Sequence, residues 1–210
     1  MKNSETGHSL LQILSTILVL AIVSAILTVW GTDIYRKAKL NGTMTDFSVL
    51  LSNFSRQSPE LIQKKENVKS VLFFKLNNIF PQCEIQDSEL ASENKSCRLP
   101  LGEFTGDITY ADSSLYTYLY VHFTDMYKKR NCNAFLSYGW EKIIPADWWG
   151  EYGYIGVLSE TDDGKMFYAL NDQFASEGAK KNPTEQDAKN ACSICEDSRY
   201  CSIMFFFMKK

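Results

Sequence analysis

The chain has no long basic run: 22 Lys and Arg stand against 25 Asp and Glu, for a net charge of -3. Without clustered cations to gather phosphates, nucleic-acid binding is set aside. Catalytic signatures are missing as well. There is no G-x-S-x-G, H-E-x-x-H or P-loop, so no nucleophile and base share a motif, and the chain reads as non-enzymatic. Metal-ligand spacing is lacking too. The two histidines, His8 and His122, have no useful spacing, and the C-x-x-C at Cys192 and Cys195 has no second copy, so neither a metal nor another cofactor is expected. Formal charge, finally, is absent from residues 10–30.

That last gap is LLQILSTILVLAIVSAILTVW, long enough as a helix to cross a hydrocarbon layer of roughly 30 Å. It can be a signal peptide, a plain membrane anchor or an assembly helix. Val23-Ser24-Ala25 is similar to a signal-peptidase site, yet the apolar run continues beyond it through Ile26, Leu27 and Val29. Downstream, Leu40, Met44, Phe47, Leu51 and Phe54 step by four and three residues, an apolar stripe on an otherwise polar helix. One helix is therefore predicted over residues 9–54. At 1.5 Å per residue it runs roughly 65 to 70 Å, more than a membrane span requires.

Six cysteines, Cys83, Cys97, Cys132, Cys192, Cys195 and Cys201, all follow the apolar segment. An even count behind a membrane-targeting sequence predicts disulfides formed in the periplasm or at the cell surface, with fifteen pairings open. Cys83 and Cys97 bracket a polar stretch without periodicity, read as a loop closed by a local disulfide. A thiol oxidoreductase using Cys192 and Cys195 is a competing reading. Its helix-N-terminal context is lacking, because a strand-like segment follows at once.

The body is rich in aromatics, with 13 Phe, 11 Tyr and 4 Trp, which favours strands and packed faces. Ser58, Pro59 and Glu60 predict the start of a second helix over 59–79. In LYTYLYVHF, Leu115, Thr117, Leu119, Val121 and Phe123 alternate with Tyr116, Tyr118, Tyr120 and His122, so one sheet face is aliphatic and the other aromatic. That alternation puts His122 on the outer, polar face, with no partner at matched spacing for acid–base work. A short helix is expected around Cys132 and another after Pro183. Two further strands, GYIGVLSE and KMFYALND, flank an Asp163-Gly164 turn. Asp162, Asp163 and Glu160 offer too few oxygens for calcium, and the turn is the preferred reading. Trp148 and Trp149 are adjacent, so they cannot both face one side of a strand. Filling the groove between sheet and helix is preferred to an exposed binding surface at residues 147–154. Phe205, Phe206 and Phe207 near the C-terminus need cover, most simply by pairing into the sheet.

A short polar leader ending in Gly7, a charge-free helix and an amphipathic continuation into a cysteine-bearing domain resemble the type IV pilins and type II secretion pseudopilins. The order of the body looks most like the type IVb subclass. The resemblance implies an α+β fold in which the long N-terminal helix packs on a four- to five-stranded antiparallel sheet with a disulfide-linked C-terminal region. It divides the chain into a prepilin leader (1–7), a transmembrane and assembly helix (8–54) and a globular head (55–210). It further implies cleavage between Gly7 and His8 by a prepilin peptidase, methylation of the new terminus, and a fimbrial filament with other pilin subunits, built by inner-membrane machinery. Cys132 then joins Cys192, Cys195 or Cys201, and Cys195 with Cys201 completes the set if Cys132 takes Cys192. Before assembly the chain is expected in the bacterial inner membrane, single-pass with a periplasmic head, and afterwards in the filament. His8 stands where the family usually has an apolar residue, and Gln12 where most members carry a glutamate that pairs with a neighbour's terminal amine. Gln12 can only hydrogen-bond, and a minor or tip subunit can dispense with the charge. The alternative function is a membrane-anchored periplasmic binding or adhesion protein that does not polymerise.

Overall fold

The computed structural model describes residues 5–64, 67–68, 71–90, 95–111, 114–144, 154–160, 166–169 and 183–209. Two compact units are present, Met1–Lys39 and Leu40–Lys210.

The first unit is the N-terminal part of helix α1, Glu5–Lys64. Its apolar side chains from Ile13 to Trp30 are exposed. Four hydroxyls in and just after this run bond within the helix: Ser15 and Thr16 donate to the carbonyl of Gln12, Thr28 to Ser24 and Thr32 to Val29. Hydroxyls that bond to the helix's own carbonyls suit a hydrocarbon medium. Just past the apolar run, Asp33 pairs with Arg36 at 3.0 Å and Lys37 at 3.1 Å, and the Lys39 ammonium lies 4.7 Å from the Tyr35 ring centroid. Among the described residues one helix, Gln12–Gln57, is long and apolar enough to cross a membrane, with a mean hydropathy of 2.5 in its apolar window.

The second unit is an α+β head built on the remainder of α1. Leu40, Met44, Phe47, Leu51 and Phe54 are buried, the stripe that the three-and-four spacing predicts, and Leu50 is buried beside them. Contrary to the predicted break, α1 does not stop at Ser58 and Pro59 but continues to Lys64. Proline removes one backbone bond, yet a turn that is already helical before it can carry the chain through. The second helix, α2, is correspondingly short, Val71–Leu76. Asn53 and Gln57 of α1 donate to the carbonyls of Ile79 and Asn77 at 3.1 and 2.9 Å, holding the exit of α2 against α1.

Seven strands are present among the described residues: β1 Glu84–Asp87, β2 Lys95–Arg98, β3 Glu103–Ala111, β4 Ser114–Phe123, β5 Tyr154–Glu160, β6 Met166–Ala169 and β7 Tyr200–Lys209. They form one sheet in the order β1-β2-β3-β4-β7-β5-β6, and every pairing is antiparallel. The sheet exceeds the four to five strands expected because the polar stretch read as a loop is a hairpin, with Glu84 opposite Arg98 and Asp87 opposite Lys95. β7 lies between β4 and β5, so Phe205 and Phe206 are covered on both edges of their strand and Phe207 is paired with Thr117 of β4. The Asp162-Asp163-Gly164 turn lies outside the described residues, although β5 and β6 on either side of it do pair, Glu160 opposite Met166.

Alternation places Phe104, Leu119, Val121, Ile203 and Phe205 in the main core with the α1 stripe. Phe47 is its centre, with ring centroids 4.8 Å from Phe205, 5.4 Å from Trp140, 5.7 Å from Phe135 and 6.1 Å from Phe104. Trp140 donates its indole N–H to the Phe135 carbonyl at 2.7 Å, which satisfies the one polar atom of a buried ring. Phe135 belongs to α3, Lys128–Leu136, and α4, Glu185–Ala191, starts at a capping box in which Thr184 and Asp187 satisfy each other's backbone N–H.

Gly102 closes the turn into β3 at φ +86°, where an added Cβ would sit 2.2 Å from the His122 carbonyl oxygen. Strand β4 cannot yield there without breaking its register. Gly102→Ala is therefore expected to destabilise the head by about 2 kcal/mol, read as a lower urea midpoint of the full chain at unchanged m-value.

Candidate functional site

Backbone helix extends through Gly7 and His8, both inside α1. Gln12 is exposed, and its carbonyl takes two hydroxyl donors rather than one. Trp148 and Trp149 lie outside the described residues.

Among the described residues, the most chemically varied place in the head is the sheet face opposite the α1 stripe. His122 lies on this face, as alternation predicts, but it is buried rather than solvated, 5% exposed. Strand pairing explains the difference. β4 is an inner strand, and Tyr120 and Tyr200 pack beside the imidazole with ring centroids 5.9 and 6.2 Å away. Further along the same face Met204 and Phe206 are buried among Tyr116, Tyr118, Tyr120, Leu158 and Met208. The aromatics therefore make a second, thinner apolar layer.

Within that layer His122 is bonded at both nitrogens. Nε2 is 2.7 Å from Thr105 Oγ1 and Nδ1 is 2.5 Å from Ser202 Oγ. Burial pulls its pKa down to about 4, against a smaller upward pull from the carboxylate of Glu103, its cross-strand partner. At neutral pH the ring is uncharged. Glu103 in turn accepts from Ser96 Oγ and from Gln86 Nε2, the latter at 3.3 Å.

Two clefts open on this face. One, of about 240 Å³, is lined by Val71, Leu90, Lys95, Thr105, Gly106, Asp107, Tyr120, His122, Leu158 and Ser202. The other, about 290 Å³, shares Leu90 and adds Asp87, Ser88, Glu89, Glu103, Thr124, Arg199 and Tyr200. The cations at their rims are matched: Lys95 pairs with Asp87 and Arg199 with Glu89. Sequence reading found His122 but not Thr105, Ser202 or Glu103. Their convergence depends on the order β3-β4-β7, which joins residues 80 positions apart, and no local pattern carries that information.

The cysteines are bonded as Cys83–Cys97, Cys132–Cys192 and Cys195–Cys201, with none free. The Sγ atoms of Cys132, Cys195 and Cys201 lie within 4.8 Å of one another, but as disulfide sulfurs they offer no thiolate to a metal. The two cysteines of the C-x-x-C bond to different partners, which removes the dithiol that a redox motif would use. Glu160 accepts from the Tyr200 hydroxyl at 2.8 Å, a structural bond across β5 and β7. Comparisons with known protein families, with curated proteins and with solved structures gave no match.

Proposed function

We propose that the chain is a structural, non-catalytic subunit of a type IV pilus-like or type II secretion-like filament. In this reading the N-terminal helix holds it in the inner membrane with a periplasmic head until prepilin peptidase cuts between Gly7 and His8. The helices then leave the lipid and pack against one another.

One observation supports it above the rest. Helix α1 changes character along its length: exposed apolar side chains as far as Trp30, then from Leu40 a buried stripe beneath an antiparallel sheet. A signal peptide has no use for the second half, and a simple anchor has no need to make its own helix the spine of the domain core. Gln12 in place of a carboxylate fits a minor or tip subunit better than a major one, since a neutral amide in a membrane helix costs less than a charge but gives up the ion pair.

Intact-mass and N-terminal peptide analysis of the membrane-extracted protein tests the reading. A mature chain beginning at His8 and carrying one N-terminal methyl group is expected. An intact Met1 in the mature protein, or a start near Ile26, would overturn it.

A further inference from the structure

The hydrogen bonds around His122 do not close. A neutral imidazole has one N–H and one lone pair, so Thr105 and Ser202 cannot both donate to it. Either Thr105 donates to Nε2 while Nδ1–H donates to Ser202, or Ser202 donates to Nδ1 while Nε2–H donates to Thr105. In the first arrangement the Ser202 hydroxyl hydrogen is left over, and in the second that of Thr105. Among the described residues neither hydroxyl makes another hydrogen bond. Both side chains are more than nine-tenths buried and both line the smaller cleft. One hydroxyl hydrogen of the pair is thus left to be met from the cleft, by water or by an acceptor atom of a ligand.

The remaining walls narrow the chemistry. Tyr120, Leu158 and Val71 supply an aromatic ring and aliphatic surface beside the hydroxyls. The rim cation Lys95 is already paired with Asp87, and the adjoining cleft carries Asp87, Glu89 and Glu103 against Arg199. An anion gains nothing there. At about 240 Å³ the cleft is below the roughly 300–1,000 Å³ of drug-sized sites, so one ring is the natural occupant. A ligand that is uncharged, rich in oxygen acceptors and apolar on one face is a pyranose.

We propose that the cleft between Thr105, Tyr120, His122 and Ser202 binds a single neutral pyranose ring, its C–H face on Tyr120 and a ring or hydroxyl oxygen accepting from the Thr105–His122–Ser202 chain. The inference does not rest on the filament reading, and either can fail alone.

Saturation-transfer NMR on the full chain tests it, in lipid nanodiscs so that no sugar-headed detergent competes. The probes are methyl glucoside, methyl galactoside and methyl N-acetylglucosaminide, which mimic the end of a glycan; free glucose, which represents a soluble sugar; and glycerol and inorganic phosphate. Transfer to the C–H protons of at least one pyranose is expected, with a Kd on the order of 1 mM for so small a contact. A preference for a methyl glycoside over glucose assigns the site to a glycan terminus, and the reverse to a soluble sugar. Thr105→Val with Ser202→Ala should weaken binding about five- to tenfold. Tyr120→Ala should abolish it, while Tyr120→Phe keeps it. Should Tyr120→Ala fail to fold, transfer originating from the Tyr120 ring in the native chain, assigned with Tyr120→Phe, takes its place. Absence of pyranose binding at 20-fold above that concentration, binding indifferent to the double variant, or binding of phosphate or glycerol instead would each overturn the proposal.

Discussion

Replacing Cys132 and Cys192 together by alanine is expected to lower the unfolding free energy of the head by about 4 kcal/mol. The bond closes a loop of 60 residues, ties α3 to the turn after α4, and both sulfurs are fully buried. Loop-closure entropy makes the effect grow slowly with length. The same relation gives about 3 kcal/mol for Cys83–Cys97, 14 residues apart, and about 2 kcal/mol for Cys195–Cys201, 6 apart. Urea unfolding of the three paired variants, each as the full chain, checks the order as well as the size. An equal effect for all three would mean that native packing, not chain entropy, sets the stabilisation. Paired replacement matters here. A single Cys192→Ala variant leaves Cys132 as a thiol within 4.8 Å of the Cys195 and Cys201 sulfurs, and exchange would then blur the result. Peptide mapping of that single variant is expected to show mixed bonding among Cys132, Cys195 and Cys201, with Cys83–Cys97 unaffected.

Long-period signals were the ones the sequence made legible. The stripe of Leu40, Met44, Phe47, Leu51 and Phe54 repeats over four turns, and the nine-residue alternation of β4 leaves little choice about which residues enter the core. Elements without a buried face of their own were harder to read. β1 is almost wholly exposed, so its residues carry no alternation, and the hairpin with β2 passed for a loop. Ser58-Pro59-Glu60 has the composition of a helix start. That composition says nothing about whether the preceding turn is already helical, and here it is. The candidate site was legible only as a single residue. Alternation placed His122 on its face, but the burial, the two hydroxyls and the cross-strand carboxylate all come from strands β3 and β7, whose neighbourhood is a property of topology.

His122 also gives the head a predictable response to acid. In the unfolded chain the imidazole takes up a proton near its ordinary pKa of 6.5, whereas in the fold it does so only at about 4, because burial between β3 and β7 disfavours the cation. Between those values the unfolded state binds more protons, so stability must fall as pH falls. The stabilisation is fully present above about pH 6.5, down by about 2 kcal/mol at pH 5 and by about 3 kcal/mol at pH 4. Glu103 opposes the shift from the neighbouring strand but does not reverse it. Other carboxylates titrate in the same range, so the comparison that isolates His122 is the native chain against His122→Gln. Glutamine keeps one donor and one acceptor for Thr105 and Ser202 but cannot charge. Urea unfolding of the two full-length proteins from pH 7 to pH 4 is expected to show their stability difference shifting by about 3 kcal/mol in favour of the variant. A difference that stays constant over that range would mean that His122 accepts its proton without leaving the fold, and that the Thr105 and Ser202 hydroxyls can both turn to accept from an imidazolium.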